Sequence, residues 1–329
     1  MNTLIIPILA SNVNVGPSLH AVGLPSSNAI TGFGHAALRV IKDMTGANPS
    51  DQGSALVINK YTLLPGRQKP QKASKGDMDK VKKGDLDASL SDERLAVIEG
   101  WVVVRFGIGL SGLTSIQDKL SEIWEQLHRL AFAGGVLSIP SKLILLEGDE
   151  DGSEAFKKLP KNSRIIVDHT HELQMYASAY GLDFFEAMIR LLVLSEDQGN
   201  NFNKSRTPEP TKTSGSEIPA DCDDTPEIIP QTPTSELPMD QQSIEDREVF
   251  ENSYLGHLVP IDIGYRALEE PQNREARGGY KHVFAEPVTG IARIQLLSSL
   301  MRKKESNNAF WHHNNQHPMY TSRGSFQHG

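Results

Sequence analysis

Leu95–Phe106 reads LAVIEGWVVVRF, the strongest strand signal in the chain. Before it, Pro65 to Asp92 is polar, Lys-rich and punctuated by glycine. That composition predicts a long loop or an extended hairpin leading back to a strand at Ala55–Leu64. After it, Leu113–Phe132 predicts an amphipathic helix, because Ile116, Leu120, Ile123, Leu127 and Leu130 recur at three- and four-residue spacing. Ala133-Gly134-Gly135 ends that helix. Val136–Ile139 and Leu143–Leu146 then read as short strands around Pro140.

At the N-terminus, Thr3–Leu9 is apolar and β-prone, and the polar turn Ser11–Pro17 follows it. Next come Gly23-Leu24-Pro25-Ser26-Ser27-Asn28 and a helix over Ala29–Lys42, for which Ser26, Ser27 or Asn28 can supply the cap. Ile30, Phe33, Ala37 and Val40 share one face. Gly32 and Gly34 each cost a helix roughly 1 kcal/mol relative to Ala, which implies close packing against another backbone. The order strand–helix–strand–strand–helix–strand predicts an α+β fold of modified ferredoxin-like, RRM-like plan over residues 1–150. Residues 151–199 are expected to add a helical portion, whose second helix, Asp183–Leu194, is capped by Asp183.

Residues 200–245 differ in kind. Seven prolines from Pro208 to Pro238 sit among Ser, Thr and acids with few large apolar side chains. Such a stretch cannot bury enough surface to offset chain entropy, so a disordered acidic insert is expected. Removing about Asn203 to Gln241 is expected to leave folding intact. Residues 246–329 read as a C-terminal segment that packs back on the first domain, with apolar stretches at Leu258–Ile263, Lys281–Phe284 and Ile291–Met301.

The net charge of −8 argues at first against nucleic acid, but its distribution reverses that. Thr207–Glu251 carries twelve acids against Lys212 and Arg247, so the remainder is slightly positive. Lys60–Lys83 holds eight Lys and Arg against Asp77 and Asp79. Local charge sets the field that a polyanion meets at close range. The single cysteine, Cys222, rules out an internal disulfide and fits a reducing cytosol. MNTLIIPILA has no basic n-region and reads as a strand, not as a signal peptide. No stretch approaches the ~18 apolar residues of a membrane helix. A soluble cytoplasmic protein without membrane contact is expected.

Three groups of residues could carry chemistry. The loop GLPSSNAITGFGHAAL feeds a helix N-terminus and could hold a phosphate, or it could be a tightly packed turn with no ligand. It lacks the GxxxxGK[ST] pattern of a triphosphate site. The basic stretch from Lys60 could track an RNA backbone or form a solvated loop. Tyr61 is its one aromatic residue, so base stacking there is disfavoured. The histidines of Asp168-His169-Thr170-His171-Glu172 and of His312-His313 with His317 do not match HExxH. No nucleophile elbow or cysteine nucleophile stands out.

Several of these segments together resemble one family. Asn12-Val13-Asn14-Val15, Gly23-Leu24-Pro25-Ser26 and Thr31-Gly32-Phe33-Gly34-His35-Ala36, with Arg39 behind, are similar to the opening of the Csy-type subunit of type I-F CRISPR surveillance complexes, a member of the RAMP superfamily. Later segments agree in order: Arg129-Leu130-Ala131 with Gly134-Gly135 and Pro140, then Leu258-Val259-Pro260-Ile261 with Gly264-Tyr265 and Ala267-Leu268, then Trp311-His312-His313. Leu24 departs from the family, which often has Phe there, and Pro65–Asp92 does not align with it. The resemblance implies a non-catalytic subunit that caps the 5-prime handle of the guide RNA (crRNA). It also implies a repeated backbone RAMP subunit and a large subunit as partners, and in a reduced system contact with duplex target DNA beside the protospacer-adjacent motif. Resemblance and charge together assign RNA contact to Asn12, Asn14, Ser26, Ser27, Asn28, His35, Arg39, Lys60, Arg67, Lys69, Arg129, His312, His313 and Arg323. No cofactor, metal or catalytic residue is expected. The alternative is an endoribonuclease that processes precursor crRNA with His35, His312 or His313 as general acid or base. A protein-docking module without RNA contact is a third reading.

Overall fold

The computed structural model describes residues 1–17, 21–64, 67–70, 90–193, 257–273 and 281–324. The acidic insert expected at 200–245 and most of the basic stretch from Arg67 to Lys83 lie outside these residues. By contacts the chain divides into two units, Met1–Leu192 with Gly256–Gly329, and Val193–Leu255. The first unit therefore contains most of the described residues.

The quoted strand is central. Strand β5 (Leu95–Gly107) is flanked by β1 (Asn2–Asn14) on one edge and β2 (Ser50–Leu63) on the other, both antiparallel to it. Its side chains alternate between two cores. Val102, Val104 and Phe106 face one cluster with Ile30, Phe33 and Ile41 of helix α1 (Ser27–Thr45), while Val103 faces a second with Ile5, Val57 and Phe156. Period-two alternation puts successive residues on opposite faces, and each fully buried Val or Ile contributes roughly 1.5–3 kcal/mol. The far edge of β1 carries two short strands in succession: β8 (Ile144–Glu147) pairs Asn2–Ile5, and β7 (Gly135–Ser138) pairs Leu9–Ser11. Pro7, which has no N–H to donate, lies opposite the gap between them. Strand β6 (Ala131–Phe132) pairs with β7, and β3 (Arg67–Pro70) with β4 (Leu90–Glu93) forms the base of the expected hairpin before β5.

Helix α1 begins where Ser26 Oγ accepts the Ala29 N–H at 3.2 Å, and it ends at Gly46, whose φ of 72° only glycine adopts readily. A Cβ at Gly34 would collide with the Ser54 hydroxyl, so that glycine serves close packing against β2. Gly32 is exposed and crowds nothing, which corrects the expectation for it. The single helix expected over Leu113–Phe132 is two helices, α2 (Leu110–Asp118) and α3 (Leu120–Leu127). Lys119 interrupts them, and its ammonium donates to the Met44 carbonyl in the last turn of α1 at 2.7 Å. Past α3, Phe132 turns inward to meet the Phe33 ring edge-on at 5.6 Å.

The block expected to be helical holds α4 (Ser153–Lys157), α5 (Thr170–Tyr180) and α6 (residues 184–193), and Asp183 does accept the Glu186 N–H at 2.8 Å. It also contains strand β9 (Arg164–Asp168), a correction that the β-branched run Ile165-Ile166-Val167 explains. Strand β9 pairs with β2 at Val57–Ile58 and with β13 (Ala285–Leu296). The C-terminal segment supplies β10 (His257–Ala267), the small pair β11 (Gln272–Asn273) and β12 (Lys281–His282), then β13, α7 (Leu297–Lys303), a 3-10 turn (Ser306–Ala309), β14 (Trp311–Gln316) and β15 (Met319–Gly324). Trp311 pairs with Ser54, on the same edge of β2 that carries β9. Strands β2, β14, β15, β10, β13 and β9 thus close a hydrogen-bonded circuit. Among the described residues no helix is long and apolar enough to cross a membrane.

Candidate nucleic-acid interface

An irregularity in β2, facing β14, builds a polar cleft. Between Asp51, which pairs with Phe106, and Ser54, which pairs with Val104, the register against β5 shifts by one residue, a β-bulge that leaves Gln52 and Gly53 out of the ladder. Arg105 fixes the bulge from behind: its Nε donates to the Gln52 carbonyl at 3.0 Å, and its guanidinium lies 4.4 Å over the Phe310 ring. Asp51 Oδ1 accepts the Gly53 N–H at 2.9 Å. Gly53 has φ of 102°, and a Cβ there would come within 2.5 Å of the His312 ring. Glycine is therefore required twice, for its backbone angle and for the imidazole seated on it.

The cleft, of about 460 Å³, is lined by His35, Asp51, Gly53, His312, His313 and Asn315. His35 Nδ1 stands 3.9 Å from Asp51 Oδ2, and its ring meets His313 edge-on at 6.3 Å. Burial pushes the His312 imidazole down to about 4, helped by the Arg105 charge and opposed by Asp51. Burial lowers His313 as well. His312 is therefore neutral near pH 7, able to hydrogen-bond or stack but not to pair with a phosphate. Asp51 leaves Oδ2 as an acceptor, and among the described residues no Lys or Arg lines the cleft. Its chemistry suits the amino edge of a base better than a phosphate. Among the described residues no group of three or more His, Cys, Asp and Glu is placed to hold a metal ion.

No family model matches this chain, and no curated protein matches it either.

The expected RNA contacts fall into distinct places. His35, His312 and His313 come together in the cleft, and Arg39 lies exposed one helical turn beyond His35. Asn12 and Asn14 are exposed at a second bulge, on β1, where Asn12 has φ of 57° and Asn14 Oδ1 accepts the Gly16 N–H at 3.0 Å. Lys60 is exposed on β2 and pairs in register with Glu99, and Arg129 is exposed after α3. Arg67 and Lys69 sit on β3, in register with Glu93 and Ser91.

Four assignments need correction. Ser27 is fully buried and donates to the Ser322 carbonyl at 3.2 Å, so it presents nothing to a ligand. Asn28 Oδ1 accepts from the Ser322 hydroxyl at 2.5 Å, and Ser26 is taken up by its capping bond. The loop before α1 is thus covered by the C-terminal hairpin, which favours the packed-turn reading of that stretch over a phosphate cradle. Arg323 is tied inward, Nε to Asp168 Oδ2 at 2.9 Å. Asp51, Gly53 and Asn315 escaped the sequence reading. The signal for the first two was an isolated glycine near the start of a strand, a mark of a bulge.

Proposed function

We propose that the chain is a non-catalytic RNA-binding subunit of a type I-F CRISPR surveillance complex and holds the 5-prime handle of the crRNA. One observation carries the reading. His35, from the Thr31–Ala36 motif, and His312-His313, from the C-terminal motif, lie almost the whole chain apart and share one open cleft. The strand order β2-β5-β1 with β7 and β8 beyond, under α1, α2 and α3, is the order a ferredoxin-like plan requires, and it supports a RAMP-type domain. In this reading the cleft takes an unstacked base, Arg39 and Lys60 approach phosphates, and sequence is read by the guide. A repeated backbone subunit and a large subunit are the expected partners, with duplex target DNA as a further contact in a reduced system.

The alternative, an endoribonuclease, would draw its general acid or base from His35, His312 or His313. The depressed His312 argues against that role for itself, since a base held neutral down to about pH 4 is a weak proton acceptor at pH 7. The test is the purified chain with handle RNA, followed by fluorescence anisotropy at several salt concentrations. Replacing His35 and His313 together by Ala is expected to weaken binding at least tenfold, in line with about 1–3 kcal/mol per stacked base. Wild-type affinity is expected to fall as salt rises. Unchanged affinity in the double variant, or cleavage of repeat RNA that the same variant abolishes, would defeat the reading.

A further inference from the structure

A second cleft, of about 540 Å³, opens further along β2, between the Gly23–Leu24 loop and strands β2, β9, β10 and β13. Its lining differs in kind from that of the first. Arg164 is its one cation among the described residues, no carboxylate lines it, and Asn59, Asn162 and His257 add neutral polar groups. Leu24, Ile58 and Ile294 make its apolar surface. The Tyr61 phenol donates to the Gly23 carbonyl at 2.8 Å and so holds the loop as a wall. Burial raises that phenol, so it stays uncharged at neutral pH.

Each part points to one ligand chemistry. The Arg164 side chain is exposed and without a hydrogen-bonding partner among the described residues, which leaves its fork of N–H groups open to an anion. Asn59 donates to Glu99 Oε1 at 3.4 Å, which leaves its amide oxygen to accept from a hydroxyl or an amino group. The apolar surface suits a flat ring. The volume lies within the range of about 300–1,000 Å³ usual for small-molecule sites. Among the described residues the first cleft has a carboxylate and no Lys or Arg, and the second has a guanidinium and no carboxylate.

We propose that this cleft binds a nucleotide, gripping its phosphate through Arg164 and resting its ring against Leu24, Ile58 and Ile294. The assignment stands on the lining alone and does not depend on the role of the histidine cleft. The nucleotide can be free or part of a strand, and the two sources separate in one calorimetric experiment on the full chain. AMP, adenosine and a 5-prime-phosphorylated trinucleotide are titrated in turn. AMP is expected to bind at least tenfold more tightly than adenosine. R164Q is expected to lose at least tenfold toward AMP, while K161Q, at an exposed lysine outside the lining, keeps wild-type affinity. Tighter binding of the trinucleotide assigns the cleft to a strand, and tighter binding of AMP assigns it to a free nucleotide. Because Arg164 is exposed, R164Q should melt within about 2 °C of wild type, so a lost signal reports the site and not the fold. Equal affinity for adenosine and AMP, or R164Q indistinguishable from wild type, overturns the proposal.

Discussion

His312 shows how one residue couples the cleft to the fold. In the unfolded chain its imidazole takes a proton near pH 6.5, whereas in the folded chain it does so only at about 4. Between those values the unfolded state binds more protons, so this residue makes stability rise with pH across the window and contributes fully only above it. Urea titrations from pH 4 to 7 should show a shallower slope for H312N than for wild type, by on the order of 1 kcal/mol over the window once solvent screening is allowed for. Identical slopes would show that His312 is not buried as described. Beneath it, G53A forces a Cβ into the ring and a side chain into a backbone angle of 102°. A loss of about 1–3 kcal/mol is expected by denaturant titration, together with weaker RNA binding. Asn315 left no trace at this scale in the sequence, because a polar residue in a polar tail looks the same whether or not a cleft forms around it.

Among the elements, legibility followed the source of the stabilising contacts. Strands β1 and β5 and helix α1 were readable because their apolar periodicity is local. The break between α2 and α3 was not, because Lys119 leaves the helix to meet a carbonyl at the far end of α1, a partner remote in sequence. Strand β9 is similar. Its Ile-Ile-Val run was visible, but its two neighbours, β2 and β13, come from opposite ends of the chain. The cleft was legible as separate histidines and illegible as a place. Asp168, at the end of β9, is the joint that holds this arrangement. Its fully buried carboxylate accepts from the Thr170 N–H at 2.8 Å, the Thr170 hydroxyl at 2.6 Å, Arg323 Nε at 2.9 Å and the Gly324 N–H at 2.9 Å. It fastens the start of α5 and the end of β15 together. D168A should cost about 3 kcal/mol by removing one partner of a buried pair, and R323M in the same chain should restore part of it. A full additive loss in the double variant would show that the pair is not coupled.

At the scale of the molecule, the closed circuit makes the C-terminal strands part of the core. Trp311 is wholly buried, and its indole N–H donates to the Ile166 carbonyl at 3.2 Å. W311A should cost about 3–5 kcal/mol, read as a lower urea midpoint, and retention of wild-type stability would mean that β14 is dispensable. The same closure has a consequence for synthesis. The edge of β2 that Trp311 seals leaves the ribosome long before Trp311 exists. At ~5–20 residues per second, the two are separated by on the order of 10–50 seconds. Strand β9 covers that edge only at Val57–Ile58, so for that interval its Ser54 end lacks its partner strand, and such an open edge is the usual template for unwanted strand addition. The yield of active protein in a cell should therefore fall when elongation after β2 is slowed, measured as soluble protein per unit of transcript.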